Sequence, residues 1–309
     1  MHRITKPALR RGAVAITVAS LAVAGTMSIA GASSKHHATP TATYNASAAK
    51  LVPAAIVSIS KAGGVVEAFD ASYPPDEFLA ANNTTIIGFD ADLGAAIATT
   101  LGLKFKPTNI PFGTIITGIQ DGRVQIGNSS FTDTKAREKQ VNFVDYFKAG
   151  EAFYVGHSSS IKVNGLASLC SSKKYVVAVE QGTTEESDAQ TQAKKCSSAD
   201  KLTVNSYQTQ DEANLAVSSG RAQIGFADSQ VAGYIVAQSK GAFKLSGAAI
   251  EVAPYGIAVS KSSADKGFDT AIQAAVNALI KSGVYAGILK HWGVSAGGVP
   301  KASLNGATS

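Results

Sequence analysis

Clustered positive charge is what this sequence lacks once its first 32 residues are set aside. The 309-residue chain carries a formal charge of +6, but Arg3, Lys6, Arg10 and Arg11 supply most of it. Without them, 24 basic side chains face 22 acidic ones. No run of Lys and Arg interleaved with aromatics remains, which argues against nucleic acid as a partner. Histidine is scarce as well. His2, His36, His37, His157 and His291 are the five, and none forms a motif beside Ser129 or Ser130, so serine hydrolysis finds no base. His36-His37 lie in a polar stretch as adjacent solvated residues, and no metal or cofactor is expected. His157 falls where the chain is expected to cross between halves, a candidate pH-sensitive hinge residue or simply an exposed loop histidine. Only two cysteines occur, Cys170 and Cys196, with no histidine near them in sequence. In an exported chain they are expected to pair rather than to bind metal or catalyse. The pairing would close a loop of about 26 residues, worth about 3.5 kcal/mol by chain entropy. Past the N-terminus no apolar run is long enough to span a bilayer.

What is present begins with an export signal. Arg10-Arg11 precede the apolar stretch "GAVAITVASLAVAGTMSIAGA", and Ala30-Gly31-Ala32 has the small-x-small form of a cleavage site. Residues 1–32 therefore read as a signal peptide; an uncleaved membrane anchor is the competing reading. The arginine pair leaves Sec and twin-arginine export both open. No cysteine near the cleavage site offers a lipid acceptor. Residues 33–48, "SSKHHATPTATYNASA", read as a solvated tether without an apolar period.

The body of the chain contains an internal repeat. Residues 122–127 read "GRVQIG" and residues 220–225 read "GRAQIG", 98 positions apart. Each follows a helix-like stretch ("FGTIITGIQD", "QDEANLAVSS") and precedes a short polar loop ("NSS", "ADS"). Each half thus has a helix, a glycine turn, a short apolar strand and a polar loop, and at this offset Ser130 corresponds to Asp228. In open α/β sheets ligands bind beyond the C-terminal ends of strands, so the two loops are expected to face one another across a cleft. Further pieces fit α/β lobes. "GVVEAF" and "YVVAV" read as strands. "FDADLGAAIATTLG" is a helix with Leu93, Ile97 and Leu101 in line and Gly102 as its stop. Thr183 and Glu186 have the spacing of a capping box. Residues 268–294 form a long helical pattern broken at Ser282-Gly283.

Seven blocks in this order resemble the family 3 solute-binding proteins, the amino-acid receptors of ABC importers. They are "DASYPPDEF" (70–78), "GFDADL" (88–93), "FGTIITGIQDGRVQIGNSSFTDTKAREKQVNFVDYF" (112–147), "VAVEQGTTEE" (177–186), "GRAQIGFADS" (220–229), "APYGIAV" (253–259) and "ILKHWGV" (288–294). The resemblance implies an α/β, two-lobed periplasmic-binding-protein-like fold, each lobe a mixed sheet flanked by helices, with a ligand cleft between lobes. Residues 49–153 and 254–297 would form lobe 1, residues 154–253 lobe 2, and residues 298–309 a C-terminal tail. Hinge closure, a general property of such proteins, would trap the ligand. By the same resemblance, Arg137 pairs with the ligand α-carboxylate. Ser130 and Thr132 help hold the ligand, and Thr184 gives a second carboxylate contact. Asp228 accepts the α-ammonium, Asp70 meets the ligand side chain, and Tyr73 and Phe112 wall the pocket. Two positions depart from the family pattern: Asp76 after Pro75, and Gln223 where an acid is common.

The chemistry of these residue types agrees. A guanidinium fork matches a carboxylate bidentately and a carboxylate matches an ammonium, so one of each sign on opposite lobes recognises a zwitterion. Each residue also has a plainer reading: Arg137 as part of a solvated helix face or an Arg–Glu pair, Asp228 as the N-cap of "SQVAGYIV", Tyr73 and Phe112 as core. The expected function is the substrate-binding component of an ABC importer for a polar or basic amino acid, exported, monomeric, and working with a membrane permease and ATPase. The rival is an enzyme. Periplasmic cyclohexadienyl dehydratases resemble the same fold family and need a proton donor, for which Asp76 or Glu77 would serve.

Overall fold

The computed structural model describes residues 41–307. The stretch read as a signal peptide, residues 1–32, and most of the stretch read as a tether lie outside them. Among the described residues, α1 (Ala46–Ala49), α2 (Ala54–Ala62), β1 (Val65–Phe69), β2 (Ser72–Tyr73), β3 (Glu77–Leu79), β4 (Ile86–Ile87), α3 (Phe89–Leu101), β5 (Phe105–Asn109), α4 (Phe112–Gln120), β6 (Ile126–Gly127) and α5 (Lys135–Glu138) lead into the long strand β7 (Asn142–Gly156). A second α/β half follows with β8 (Val176–Glu180), α6 (Thr184–Lys195), β9 (Thr203–Tyr207), α7 (Gln210–Ser218), β10 (Ile224–Asp228), α8 (Ser229–Gln238) and β11 (Phe243–Leu245). The chain returns through β12 (Ile250–Val259) and ends with α9 (Phe268–Ser282), α10 (Val284–Trp292) and β13 (Gly298–Leu304).

The main sheet runs β5-β1-β6-β12-β7-β10-β8-β9. Lobe 1 holds its parallel β5-β1-β6 edge and lobe 2 its parallel β8-β9 pair. Two long antiparallel strands join them. β7 pairs with β12 from Asn142 to Glu151 and with β10 from Glu151 to Val155. One strand therefore belongs to both lobes. The β12 partner shifts register between Ile250 and Ala253 and again between Tyr255 and Gly256, where a straight ladder gives way to a bend.

The repeat is structural. Gly122 and Gly220 both take left-handed backbone (φ +72° and +76°), ending α4 and α7. The glutamine of each copy then reaches the first strand of its own lobe. Gln125 Oε1 accepts from Val66 N at 3.0 Å, and Gln223 Oε1 accepts from Val176 N at 2.9 Å. The departure at Gln223 thus has a backbone-pairing role. These bonds also align β1 with β8, so Asp70, just past β1, corresponds to Glu180 at the end of β8, 110 residues later.

Other sequence features resolve locally. Leu93, Ile97 and Leu101 are buried on α3, which stops at Gly102 in left-handed backbone. The helical pattern over 268–294 is two helices meeting at Gly283 with a bend of 80°. No single helix among the described residues is long and apolar enough to cross a membrane. Cys170 and Cys196 are bonded, with Cα atoms 5.3 Å apart, so the C-terminal end of α6 is tied to the loop after β7. Two segments are more ordered than the sequence suggested. Asn45, in the tether, caps α1 by accepting from Ser47 N and Ala48 N at 3.1 and 3.0 Å. Residues 298–304, read as tail, form β13 on β7. That strand buries only Ala302 fully, so it carries no hydrophobic alternation to betray it.

Candidate ligand-binding site

Seven of the eight residues singled out from sequence line one cavity between the lobes: Tyr73, Phe112, Ser130, Thr132 and Arg137 from lobe 1, Thr184 and Asp228 from lobe 2. Thr183 and Glu185 complete it. Asp70 does not line it; it is buried behind Phe112, whose backbone N–H it accepts at 2.9 Å.

Arg137 lies on α5, a four-residue helix capped by Thr134. Lys135 and Glu138 of the same turn pair at the surface at 3.1 Å. Arg137 instead points inward, and no carboxylate lies within ion-pair distance of it among the described residues. Its guanidinium carbon sits 5.4 Å from the ring centres of both Phe112 and Phe131, which stack at 4.4 Å. Nη1 donates to Thr132 O at 2.8 Å, and Nη2 crosses to lobe 2 to donate to Gly182 O at 2.9 Å. The surface ion-pair reading is thereby set aside: this is a cation on an aromatic platform, oriented by two carbonyls and facing a cavity.

Asp228 holds the N-cap position of α8, yet its side chain makes no capping bond. Burial, with Glu185, Asp76 and Glu151 nearby, pushes its carboxyl well above the usual range, and a hydrogen bond with Tyr255 opposes the rise. Beside it, α6 begins. Thr183 accepts from Glu186 N at 3.1 Å, and Glu186 Oε2 accepts from Gly182 N at 2.7 Å. This capping arrangement fixes the turn that presents Thr184. Glu185 is buried with one carboxylate oxygen unpartnered. Burial raises its pKa, while backbone hydrogen bonding and the attraction of Arg137 lower it.

Ser130 adopts φ +50°, an uncommon conformation for a non-glycine residue and one that concentrates at functional sites. Its backbone N–H donates to Asp90 Oδ2 at 2.9 Å and its hydroxyl donates to Asp76 Oδ2 at 2.8 Å. Asp90 also accepts from the Tyr146 hydroxyl at 2.6 Å, and Ser129 Oγ donates to Glu77 Oε1. A buried carboxyl network thus holds the Ser129–Ser130 loop from behind. Asp76 and Glu77 belong to that network, and neither lines the cavity.

The cleft is shut. Gln230 Nε2 reaches across to Asp76 Oδ2 at 2.6 Å, the hydroxyls of Thr132 and Thr184 meet at 3.4 Å, and Gln210 N donates to Ser72 Oγ at 3.2 Å. A Cβ on Gly182 would lie 3.0 Å from Gly113 Cα, so this close approach of the lobes requires glycine there. The space between the lining atoms is about 200 Å3, of which about 10 Å3 is open to the centre of a water molecule. That is about the least that admits one water. Sequence reading missed Glu185, Gln230 and Glu180. Glu180 had a signal: "EAFD" and "VAVE" occupy equivalent places in the two halves.

Residues 65–295 match the sequence profile of the bacterial extracellular solute-binding proteins, family 3. This chain belongs to that family. As a solute-binding protein it is similar to the arginine-binding protein ArgT of Corynebacterium glutamicum, 30% identical over 251 residues that cover 80% of each chain. It is also similar to the solved structure of an ancestral arginine-binding protein bound to arginine, with 30% identity, a TM-score of 0.67, and coverage of 74% of this chain and 97% of that one. An ancestral amino acid-binding protein described as a precursor of cyclohexadienyl dehydratase shares 29% identity with a TM-score of 0.68, covering 77% of this chain and 98% of that one. The two-lobed α/β architecture of these solute-binding proteins is the one seen here.

Proposed function

We propose that this chain is the exported substrate-binding component of an amino-acid ABC importer, that it takes a basic amino acid of the arginine class, and that it delivers it to a membrane permease and ATPase. One observation carries the reading: Arg137 without a carboxylate partner and Asp228 without a capping bond face the same closing cleft from opposite lobes. The ligand α-carboxylate would take the guanidinium fork of Arg137 with Thr184 beside it. The α-ammonium would take Asp228, and Ser130 and Thr132 would hold the same end through backbone and hydroxyl groups. Tyr73 and Phe112 would flank the aliphatic stem, which points the side chain toward Asp70. In this scheme residues 49–153 and 254–297 move against residues 154–253, with β7 and β12 bending between them.

Preference for a basic side chain follows from charge. Arg137 is the one guanidinium at the cavity, against the carboxyls of Asp228 and Glu185, with Asp70 behind Phe112. The arginine-binding relatives support the same choice. Binding without chemistry is favoured over dehydration because Asp76 and Glu77, the proton donors expected from sequence, are engaged by Ser130, Gln230 and Ser129 behind the loop, and Glu185, which does line the cavity, faces the Arg137 cation. A thermal-shift panel across the amino acids tests the reading. Arginine and its homologues are expected to raise the melting temperature most, because a ligand held only by the folded form stabilises it. Purified protein is expected to leave prephenate unchanged. No shift with any amino acid, or turnover of prephenate, would contradict it.

A further inference from the structure

Glu180 is fully buried and neither of its carboxylate oxygens has a hydrogen-bond partner. The hydroxyl of Tyr73, also buried and beside Glu180, is without a partner too. Asp70, the pseudo-equivalent acid of lobe 1, faces Glu180 closely enough for each to influence the other's proton. The two acids differ in how they are held. Asp70 is fixed in place by Ser72 Oγ at 2.7 Å and Phe112 N at 2.9 Å. Glu180 has no well-formed hydrogen bond; its polar neighbours are the Tyr73 hydroxyl and Asp70 itself. Leaving a buried carboxyl unpaired is costly whether it is charged or protonated, since a protonated one still has a donor to satisfy. No Lys, Arg or His of the described residues lies within ion-pair distance of either acid.

We propose that Glu180 and Asp70 form a two-carboxylate clamp for the cationic end of the ligand side chain, with Glu180 the residue that determines specificity. This rests on the reading above, in which the ligand is a basic amino acid gripped by Arg137 and Asp228. The spacing suits it. Phe112 alone spans the interval: its backbone N–H is on Asp70 and its ring is 5.4 Å from the Arg137 guanidinium carbon. A ligand anchored at Arg137 therefore needs one extended side chain, running along Phe112 and Tyr73, to bring its guanidinium between the acids. The planar fork of a guanidinium offers donors to two carboxylates at once and to the Tyr73 hydroxyl as acceptor. Because one acid comes from each lobe, the clamp closes only as the cleft does. Burial, reinforced by Asp70 and Glu185, pushes Glu180 up to about 10 in the shut form, with Tyr73 acting in the opposite sense. Asp211 at the start of α7 adds to the negative charge around Asp70. A bound cation would reverse that pressure.

The test is calorimetric titration of arginine and of citrulline, its uncharged urea isostere, into the full mature chain and into Glu180→Gln. The wild type is expected to prefer arginine strongly. Glu180→Gln is expected to weaken arginine about 10- to 100-fold, the worth of a charge-assisted hydrogen bond, while citrulline changes little. Glu180→Asp, which keeps the charge, should restore part of the preference and stands in should the glutamine variant not fold. Equal wild-type affinity for arginine and citrulline would overturn the clamp, as would an undiminished preference in Glu180→Gln; either leaves the amino-acid reading intact. Failure of the wild type to bind any amino acid overturns both.

Discussion

The two lobes repeat one plan but hold their charges differently. In lobe 1 the loop after the second repeat strand ends in Ser130, saturated by Asp90 and Asp76, and the acid after the first strand, Asp70, is held by Ser72 and Phe112. In lobe 2 the equivalent positions are Asp228, which caps nothing and meets only Tyr255, and Glu180, which has no well-formed hydrogen bond. Lobe 1 is a prebuilt wall; lobe 2 brings acids that are less fully hydrogen-bonded and that raise one another's pKa. On the proposed reading, a basic ligand supplies the cation between the lobes. On the same reading, Glu180, buried without a well-formed hydrogen bond, and Asp228, crowded by other acids, are the groups that respond to the ligand.

The largest expected effect comes from the one cation on the prebuilt side. Arg137→Ala should remove binding of every amino acid, because truncating one partner of a buried charge pair costs about 2–5 kcal/mol, a large share of the about 8 kcal/mol that a micromolar ligand supplies. Calorimetry checks this, and the unliganded variant should still melt cooperatively. Next comes a contrast between the halves. Asp228→Asn should weaken binding about 10- to 100-fold while leaving the melting temperature of the free protein unchanged or higher, since it removes a carboxyl crowded by Glu185, Asp76 and Glu151. Asp90→Asn, which disturbs a carboxylate accepting from Tyr146 and Ser130, should instead destabilise the free protein by about 1–3 kcal/mol. If both variants behaved alike, the distinction between the lobes would fail.

A smaller and broader effect is pH dependence. Burial raises Glu180 to about 10, Glu151 to about 9, Glu67 to about 8 and Asp90 to about 6, from ordinary values of 4.5 for the glutamates and 3.8 for the aspartate. The folded form therefore keeps protons that the unfolded chain has already released. Their contribution to stability is complete below about pH 4 and is lost as pH rises through each folded value, at up to about 1.4 kcal/mol per pH unit for each such proton. Melting of the free protein should accordingly fall between pH 5 and pH 9. Glu180→Gln should flatten the upper end of that curve more than the lower. The smallest effect tests the symmetry itself: Gln125→Ala and Gln223→Ala should each cost about 1 kcal/mol, because each removes the same side-chain bond to a first-strand backbone N–H.

Much of this was legible in the sequence because it lies in local chemistry. The 98-residue repeat, the glycine turns at Gly122 and Gly220, the break at Gly283 and the capping turn at Thr183 are all set by residues within a few positions of one another. Seven of the eight residues singled out from sequence gather at one cavity because the family pattern records which loops meet. What stayed hidden depends on pairing across the chain. β13 is held by backbone bonds to β7 with one buried side chain, Ala302, so no periodicity marks it. The Gln230–Asp76 bond joins positions 154 residues apart. Glu185 stands in the first turn of α6, where an acid is ordinary, and only its burial near Arg137 sets it apart. Asp70 was expected at the cavity and stands one layer behind it, because Phe112 lies between.

The most direct test of the account is a crystal structure of the mature chain grown with arginine. The account predicts the ligand α-carboxylate on the Arg137 guanidinium and its α-ammonium on Asp228, with both lobes touching it. A ligand bound to one lobe alone, or an Arg137 still turned to Thr132 and Gly182 with the ligand elsewhere, would contradict it.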